Sequence, residues 1–424
     1  MGGKRLAVVI TAWSVTRALL LLCVLKVLTL PGPDVTSDVA VIYRGWFDVL
    51  GTGSFPLDDV TWQYPPAAAL AVLSPGLLPF LDYATAFFVL ILLLDAVVLA
   101  LLLFTARRPE RSSRGVRVWV AGVPLLGPTA YARYDLMVTA VAVAALLAAA
   151  RHPRAAGALA AFGALVKVWP VLLLIGIPRG RPTRATWTAA VLTALALVLG
   201  FAATMPGAFA FLAFQRDRGT EVESLGSLVF HVARHFGWNG EVLLNYGSVE
   251  YLGPYVDVVS AAALALTVLA FGWLLLWRLR VREFTPGTPF DAAFAAVLLF
   301  TTTSRVISPQ YLIWLVGLAA VCMTVRSSRQ GLPVVLVLAA TFTTMLEFPI
   351  WFAQVVAGDP LGIALLVVRN GLLVAATLIS CRRLWTDTVT GPRRRAAAAA
   401  AARKPRSGGG RRPAAEQDAD LLTW

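Results

Sequence analysis

Ala84-Thr-Ala-Phe-Phe-Val-Leu-Ile-Leu-Leu-Leu-Asp95-Ala-Val-Val-Leu-Ala-Leu-Leu-Leu-Phe-Thr105 carries a single charged residue, Asp95. A helix of this length, rising ~1.5 Å per residue, spans the ~30 Å hydrocarbon core of a bilayer. The apolar residues run continuously and do not alternate with period two, which excludes a membrane β-barrel strand. Similar runs recur on both sides of this one, at 6–30, 117–133, 135–150, 186–205, 254–278, 288–304, 310–325, 331–347 and 361–381. The chain therefore reads as an all-α polytopic membrane protein with roughly 10–12 transmembrane helices. Composition agrees: the 424 residues are 58% hydrophobic and 14% charged, where a soluble domain has about 25% charged residues.

The net charge of +14 does not point to nucleic acid. The basic residues cluster in short loops, 107–117, 151–154, 179–184, 278–282 and 326–329, and from Arg382 onward. The positive-inside rule makes these loops cytoplasmic. Both termini then lie in the cytoplasm, and loops 31–83 and 206–252 lie outside, at the plasma membrane. Residues 1–381 form the membrane domain. Residues 382–424, rich in Arg, Ala and Gly, read as a basic disordered tail whose partner is anionic lipid. Cys23, Cys322 and Cys381 are odd in number and lie in or beside apolar runs, so no disulfide framework is implied. The first run lacks a small-residue cleavage site and reads as a retained helix.

Two segments resist a simple crossing. Segment 65–80 holds Pro65, Pro66, Pro75 and Pro79 and reads as a short helix at or dipping into the membrane surface. Segment 155–178 has basic loops on both sides and Lys167-Val-Trp-Pro170 at its middle. It predicts two short or re-entrant helices, a feature that lines cavities at membrane depth.

The polar islands are where chemistry can be placed. The first outer loop carries Asp34, Asp38, Asp48, Asp58 and Asp59, any of which can deprotonate a hydroxyl. Asp38 stands out because it follows the outer end of the first helix. Trp62-Gln-Tyr64-Pro65-Pro66 reads as the turn that shapes this loop. The second outer loop offers Arg216 and Arg218 beside Glu221 and Glu223, and paired guanidinium groups suit phosphate. Asp135 and Lys167 lie within apolar surroundings, where ionisable groups face a cavity or one another; Asp95, Arg305, Glu347 and Arg369 share this property. Gln310, Tyr311 and Trp314 form a third island able to hydrogen-bond and stack on a sugar, with Trp314 alone also fitting an interfacial aromatic belt. His231 and His235 have metal-ligand spacing without a third ligand, and read as a surface helix.

In order, Asp38…Tyr43…Gly53…Trp62-Gln-Tyr64-Pro65-Pro66, Lys167-Val-Trp-Pro170, Arg216-Asp-Arg218-Gly…Glu223-Ser224 and Ser308-Pro-Gln310-Tyr311-Leu-Ile-Trp314 resemble the polyprenyl-phosphate-mannose-dependent mannosyltransferases of glycosyltransferase family 87. They are also similar to the catalytic subunit of the eukaryotic GPI mannosyltransferase I. The resemblance covers residues 5–381. It implies a GT-C-like bundle, a polyprenyl-phosphate-linked sugar donor, and an outward cavity with a catalytic Asp in the first outer loop. Inversion at the sugar carbon is implied as well. By position Asp38 is that base, Arg216 and Arg218 are phosphate or acceptor contacts, and Lys167 is a cavity contact. The residue readings add Asp135, Gln310, Tyr311, Asp58 and Asp59 as candidate substrate contacts. Ala40 stands two residues after Asp38, where the GPI-type relative has a second Asp, so neither a metal nor another cofactor is expected.

The expected function is transfer of a hexose, mannose above all, to an envelope glycolipid or polysaccharide. A secondary transporter or lipid-linked-sugar flippase also accounts for broken helices and buried charges, although it predicts internal repeats that are absent here. A scaffold that has lost activity is the third reading.

Overall fold

The computed structural model of the chain describes residues 2–214, 219–393 and 395. After α1 (Gly3–Val24), the first loop folds into α2 (Arg44–Leu50) and α3 (Ala68–Leu73). There follow α4 (Tyr83–Ala106), α5 (Arg114–Leu125), α6 (Asp135–Ala148), α7 (Pro153–Val166) and α8 (Arg181–Thr204). The second loop holds α9 (Phe211–Phe214) and α10 (Leu228–Ala233). The chain closes with α11 (Val256–Arg280), α12 (Thr288–Thr303), α13 (Tyr311–Cys322), α14 (Gly331–Met345), α15 (Phe352–Ala357) and α16 (Pro360–Trp385). Local signals set several starts. Asp82 caps α4 by accepting from Thr85 N at 3.1 Å, and proline occupies the first turn of α7, α8, α12 and α16, where its missing N–H costs nothing.

The bundle contains two kinds of helix. Among the described residues, α1, α4, α8, α11, α14 with its extension to Ile350, and α16 are the six long and apolar enough to cross a membrane. Five shorter apolar helices accompany them: residues 68–77, 135–148, 153–166, 288–303 and 311–322. The apolar runs at 135–150, 155–178, 288–304 and 310–325 form short helices of 14, 14, 16 and 12 residues, only ~18–24 Å long at 1.5 Å per residue. Their sequences are cut by Lys167-Val-Trp-Pro170 and Ser308-Pro309. Hydropathy counts apolar residues and does not distinguish a lipid-facing helix from one surrounded by protein. Every residue of α13 from Leu312 to Cys322 is buried, whereas only 11% of the apolar window of α8 and of α11 is buried. The short helices thus form the centre: α6 packs on α7 and α13, and α12 on α13 and α16.

Both irregular segments fold as their prolines dictate. Residues 68–77 make a short helix and a 3₁₀ turn, with Ala67 N donating to Leu165 O at 3.0 Å. Segment 155–178 divides into α7 and a 3₁₀ run, Trp169–Gly176, with Lys167 extended between them.

The second loop contains a sheet that the all-α reading did not foresee. Strands β1 (Thr220–Glu221), β2 (Glu241–Asn245) and β3 (Ser248–Leu252) pair antiparallel in the order β1-β3-β2. Tyr246 (φ 47°) and Gly247 (φ 77°) join β2 to β3, the two-residue turn with both φ positive that matches strand twist. The sheet buries Val222, Phe230 and Tyr251 against Val256, Val355 and Leu366.

Buried charges in the bundle are paired. Arg17 Nε donates to Asp95 at 2.8 Å, and the same carboxylate accepts from Trp13, Trp119 and Tyr131 at 2.8–2.9 Å. Neither the Arg17 nor the Asp95 side chain is more than 1% exposed. Asp95 is thus structural, holding α1 to α4 and α5. At the other end of the chain, α16 passes the expected 381/382 boundary. Trp277 Nε1 donates to Thr388 Oγ1 at 3.0 Å, which packs the turn Thr386–Thr390 on α11. Residue 394 and residues 396–424 of the expected tail lie outside the described residues.

Candidate active site

The breaks between the short helices fall together at one end of the bundle. α6 and α13 begin, and α7 and α12 end, around a cavity of about 590 Å³. α2, residues 61–65, the β2–β3 turn and residues 304–310 complete its walls.

Asp34 builds the turn that presents Asp38. Its Oδ1 accepts from Thr36 N at 2.9 Å and Thr36 Oγ1 at 2.7 Å, and Lys26 Nζ lies 2.8 Å from Oδ2. Burial pushes this carboxyl up, but Lys26 and Thr36 outweigh it, and Asp34 titrates below the usual range. The chain then winds through Asp38–Tyr43. Asp38 lines the cavity, 31% exposed, with Oδ2 3.0 Å from Arg133 Nη2. Arg133 is fixed in turn by the carbonyls of Val35 and Ala132, at 2.8 and 2.7 Å.

Lys167 projects from the α7 break. Its ammonium donates to Asp135 Oδ1 at 2.7 Å, and Trp314 Nε1 reaches the same oxygen at 2.7 Å. The rings of Tyr64, Tyr134, Tyr311 and Trp314 surround it, with centroids 5.0–5.5 Å from Nζ. Such rings attract a cation electrostatically. Tyr311 stacks on Trp314 at 4.0 Å, and Trp314 on Trp169 at 5.3 Å. The packing below fixes this geometry: a Cβ on Gly317 would stand 2.3 Å from Thr139 Cγ2. Only glycine lets α13 approach α6 closely enough to seat Trp314 on Asp135.

The facing wall is acidic. Glu221 accepts from Ile307 N at 2.5 Å and Ser308 Oγ at 2.8 Å, stapling the 304–310 segment to β1. Arg369 reaches both oxygens of Glu347, at 2.7 and 3.1 Å, and the carbonyls of Glu223 and Ile307. Burial, then the neighbouring Glu347 and Glu221 charges, push the Glu223 carboxyl well above its ordinary value, against the opposing pull of Arg369. The turn Tyr246-Gly247 roofs the cavity and is tied to the first loop by Gln63 Nε2, 3.1 Å from Tyr246 O. Phe211, Leu212, Phe300, Phe348 and Phe352 add apolar side chains to the lining of the same cavity.

The structure thus brings Asp38, Lys167, Gln310 and Tyr311 to one cavity, with Asp135 directly behind Lys167. Asp58 and Asp59 are corrected as contacts, since neither lines it. Asp58 is exposed. Asp59 accepts from Thr61 N, Thr61 Oγ1 and Trp46 Nε1 at 2.5–2.9 Å, which spends it on a turn. Burial raises the Asp59 carboxyl, but those three bonds lower it further. Arg216 and Arg218 lie outside the described residues. His231 is buried, not on a surface helix: its ring donates to Val222 O at 2.8 Å, and burial pushes its pKa down. His235 bonds Gly358 O at 3.0 Å. Among the described residues no group of three His, Cys, Asp or Glu is placed to hold a metal ion.

Several site residues escape the sequence reading. Arg133 is one; its signal was a positive charge on the side of the bundle away from the basic loops. Tyr64 belongs to the cage and is not merely part of a turn, and Trp314 is 1% exposed and no belt residue. Glu221 and Glu223 are buried wall residues, not members of a solvated loop.

A fixed ammonium, a guanidinium and a partly exposed carboxylate around one chamber can hold an anion beside a proton acceptor. Searches among curated proteins and among solved structures returned no match to this chain. Against known families, the model of glycosyltransferase family 87 matches residues 62–309. That is more than half of the chain, and it takes in the Lys167 break, Glu221 and Glu223 of the acidic wall, and the roof. The chain therefore belongs to glycosyltransferase family 87, a GT-C family, and is a multi-pass membrane glycosyltransferase.

Proposed function

We propose that this glycosyltransferase moves a hexose, mannose, from a polyprenyl-phosphate donor to an envelope glycolipid or polysaccharide. The reaction takes place at the extracytoplasmic face, with inversion at the sugar carbon. The observation that carries the reading is the chamber shared by Asp38, Lys167 and the apolar side chains of Phe211, Leu212, Phe300, Phe348 and Phe352. The apolar lining suits a prenyl chain, the cationic pole a phosphate, and the aromatic rings a sugar face. Sidedness rests on α13, which starts at the chamber and leads to Val325, bridged to Arg111 in the basic loop 107–117. The chamber therefore opens on the side away from the arginine loops.

In this reading Asp38 takes the proton of an acceptor hydroxyl. The hydroxyl oxygen bonds to the anomeric carbon as the bond from that carbon to the phosphate oxygen breaks. Polyprenyl phosphate leaves with the electron pair, and Lys167 and Arg133 stabilise the charge it gains. Arg133 also fixes the Asp38 carboxylate in the chamber, 3.0 Å away. Lys167 is neutralised by Asp135 in the resting protein, so the phosphate meets a polarised, pre-oriented pair and not a naked charge.

The test is purified protein in proteoliposomes supplied with radiolabelled polyprenyl-phosphate mannose and a membrane glycolipid extract. A new mannosylated product that requires the protein supports the reading. Label that changes leaflet without new covalent product refutes it in favour of a flippase.

A further inference from the structure

A second cavity, about 450 Å³, lies at the opposite end of the bundle from the chamber. Four guanidinium groups, those of Arg5, Arg111, Arg114 and Arg326, line it together with Ser112 and Ser113, and no carboxylate does. The fold holds these charges together. Arg111 is bridged to Val325, Arg326 Nε donates to Arg111 O at 3.0 Å, and Ser112 N donates to Thr324 O at 2.8 Å. Arg111 Cζ also sits 5.3 Å from the Phe290 ring, yet its Nη1 is buried with no hydrogen-bond partner. Among the described residues neither Arg5 nor Arg114 has an ion-pair partner. Other arginines of this end behave differently: Arg329 lies 2.9 Å from Asp387, and Arg395 2.6 Å from Glu283.

Concentrating like charges in a concave site without an acid is unfavourable, and so is a buried N–H with nothing to donate to. Both are relieved by one ligand, an anion with several acceptor oxygens. Guanidinium groups match phosphate in this way. We propose that this pocket binds an anionic phosphate ester, at a site separate from the transfer chamber. Its depth favours a lipid headgroup. Arg5 opens α1 and Ala106 closes α4, both membrane-spanning helices, so the pocket lies where spans meet the interface. Val8 and Ile10 of α1 and Phe104 of α4 are exposed beside it, as acyl chains require.

The experiment compares the full chain with Arg5→Gln/Arg114→Gln, two exposed residues whose replacement removes no bond of the fold. A control, Arg107→Gln/Arg117→Gln, lowers the net charge of the chain equally but leaves the pocket residues intact. Native mass spectrometry follows release from mixed micelles holding equal phosphatidylglycerol and phosphatidylcholine. The parent and the control are expected to retain phosphatidylglycerol preferentially, and the pocket variant to lose that preference roughly tenfold. Glycerol phosphate at millimolar concentration separates the sources. Retention that survives it makes the ligand a lipid; displacement of the lipid makes the pocket a soluble phosphate-ester site. Equal retention by the pocket variant and the parent, equal loss in the control, or no preference in the parent overturns the proposal.

Discussion

Lys167 and Asp135 meet at 2.7 Å at the converging ends of α7 and α6, and Trp314 binds the same carboxylate oxygen. The cation of the chamber is thus half of a buried pair. Lys167→Met keeps the aromatic packing but strands the Asp135 charge, and removing one partner of a buried pair costs ~3–5 kcal/mol. The thermal midpoint in detergent should fall accordingly. Lys167→Met/Asp135→Asn should regain most of that stability without regaining transfer. Transfer restored in the double variant would show that the ammonium has no part in binding the donor.

Asp38→Asn separates chemistry from folding. Asparagine still offers Arg133 an acceptor, so the stability loss should stay below about 1.5 kcal/mol. Turnover should drop by ~10²–10⁴-fold, the range for a lost general base. Near-parental turnover in the proteoliposome assay would remove Asp38 from that role.

Glu223 gives a pH signature. Its folded pKa is raised by burial and by Glu347 and Glu221, so the native chain keeps a proton that the unfolded chain releases near pH ~4.3. Its contribution is fully present below that pH and declines as pH rises toward the folded value. Glu223→Gln is neutral throughout. The stability of the variant relative to the parent should therefore increase from pH 5 to pH 8, read as the difference in thermal midpoint. A constant difference would mean that Glu223 is already ionised in the native state.

Gly317 tests how packing below the chamber sets geometry within it. Gly317→Ala places a methyl 2.3 Å from Thr139 Cγ2, and overpacking of this kind costs ~1–3 kcal/mol. The helices must part, drawing Trp314 away from Asp135. Adding Thr139→Ala removes the obstructing methyl and should restore both stability and transfer. Failure of this rescue would place the cost elsewhere in α13.

Legibility followed range. The Lys167 break and the short proline-bounded helix at 68–77 were readable because charge and proline act on their own segment. The hairpin was readable in principle, from Val and Tyr flanking Tyr246-Gly247, but a polar loop between spans invites no search for strands. The Asp38–Arg133 pair and the four rings around Lys167 join distant segments, which no local pattern reports. Asp59 misled for the opposite reason: an acid in the expected loop was bound to its own turn. The division into long and short helices was hidden because a run of leucine is equally apolar against lipid and against protein.

The Arg17–Asp95 pair also has a meaning in time. The chain is made from its N-terminus, so Arg17 reaches the bilayer 78 residues before Asp95. During that interval α1 carries a lone charge whose placement at a span centre costs ~2.5–3.5 kcal/mol. Arrival of α4 ends it. Retention of α1 and docking of α4 then become a single event during synthesis, and the first loop, bearing Asp38, is closed at both ends before any of the short central helices has been made.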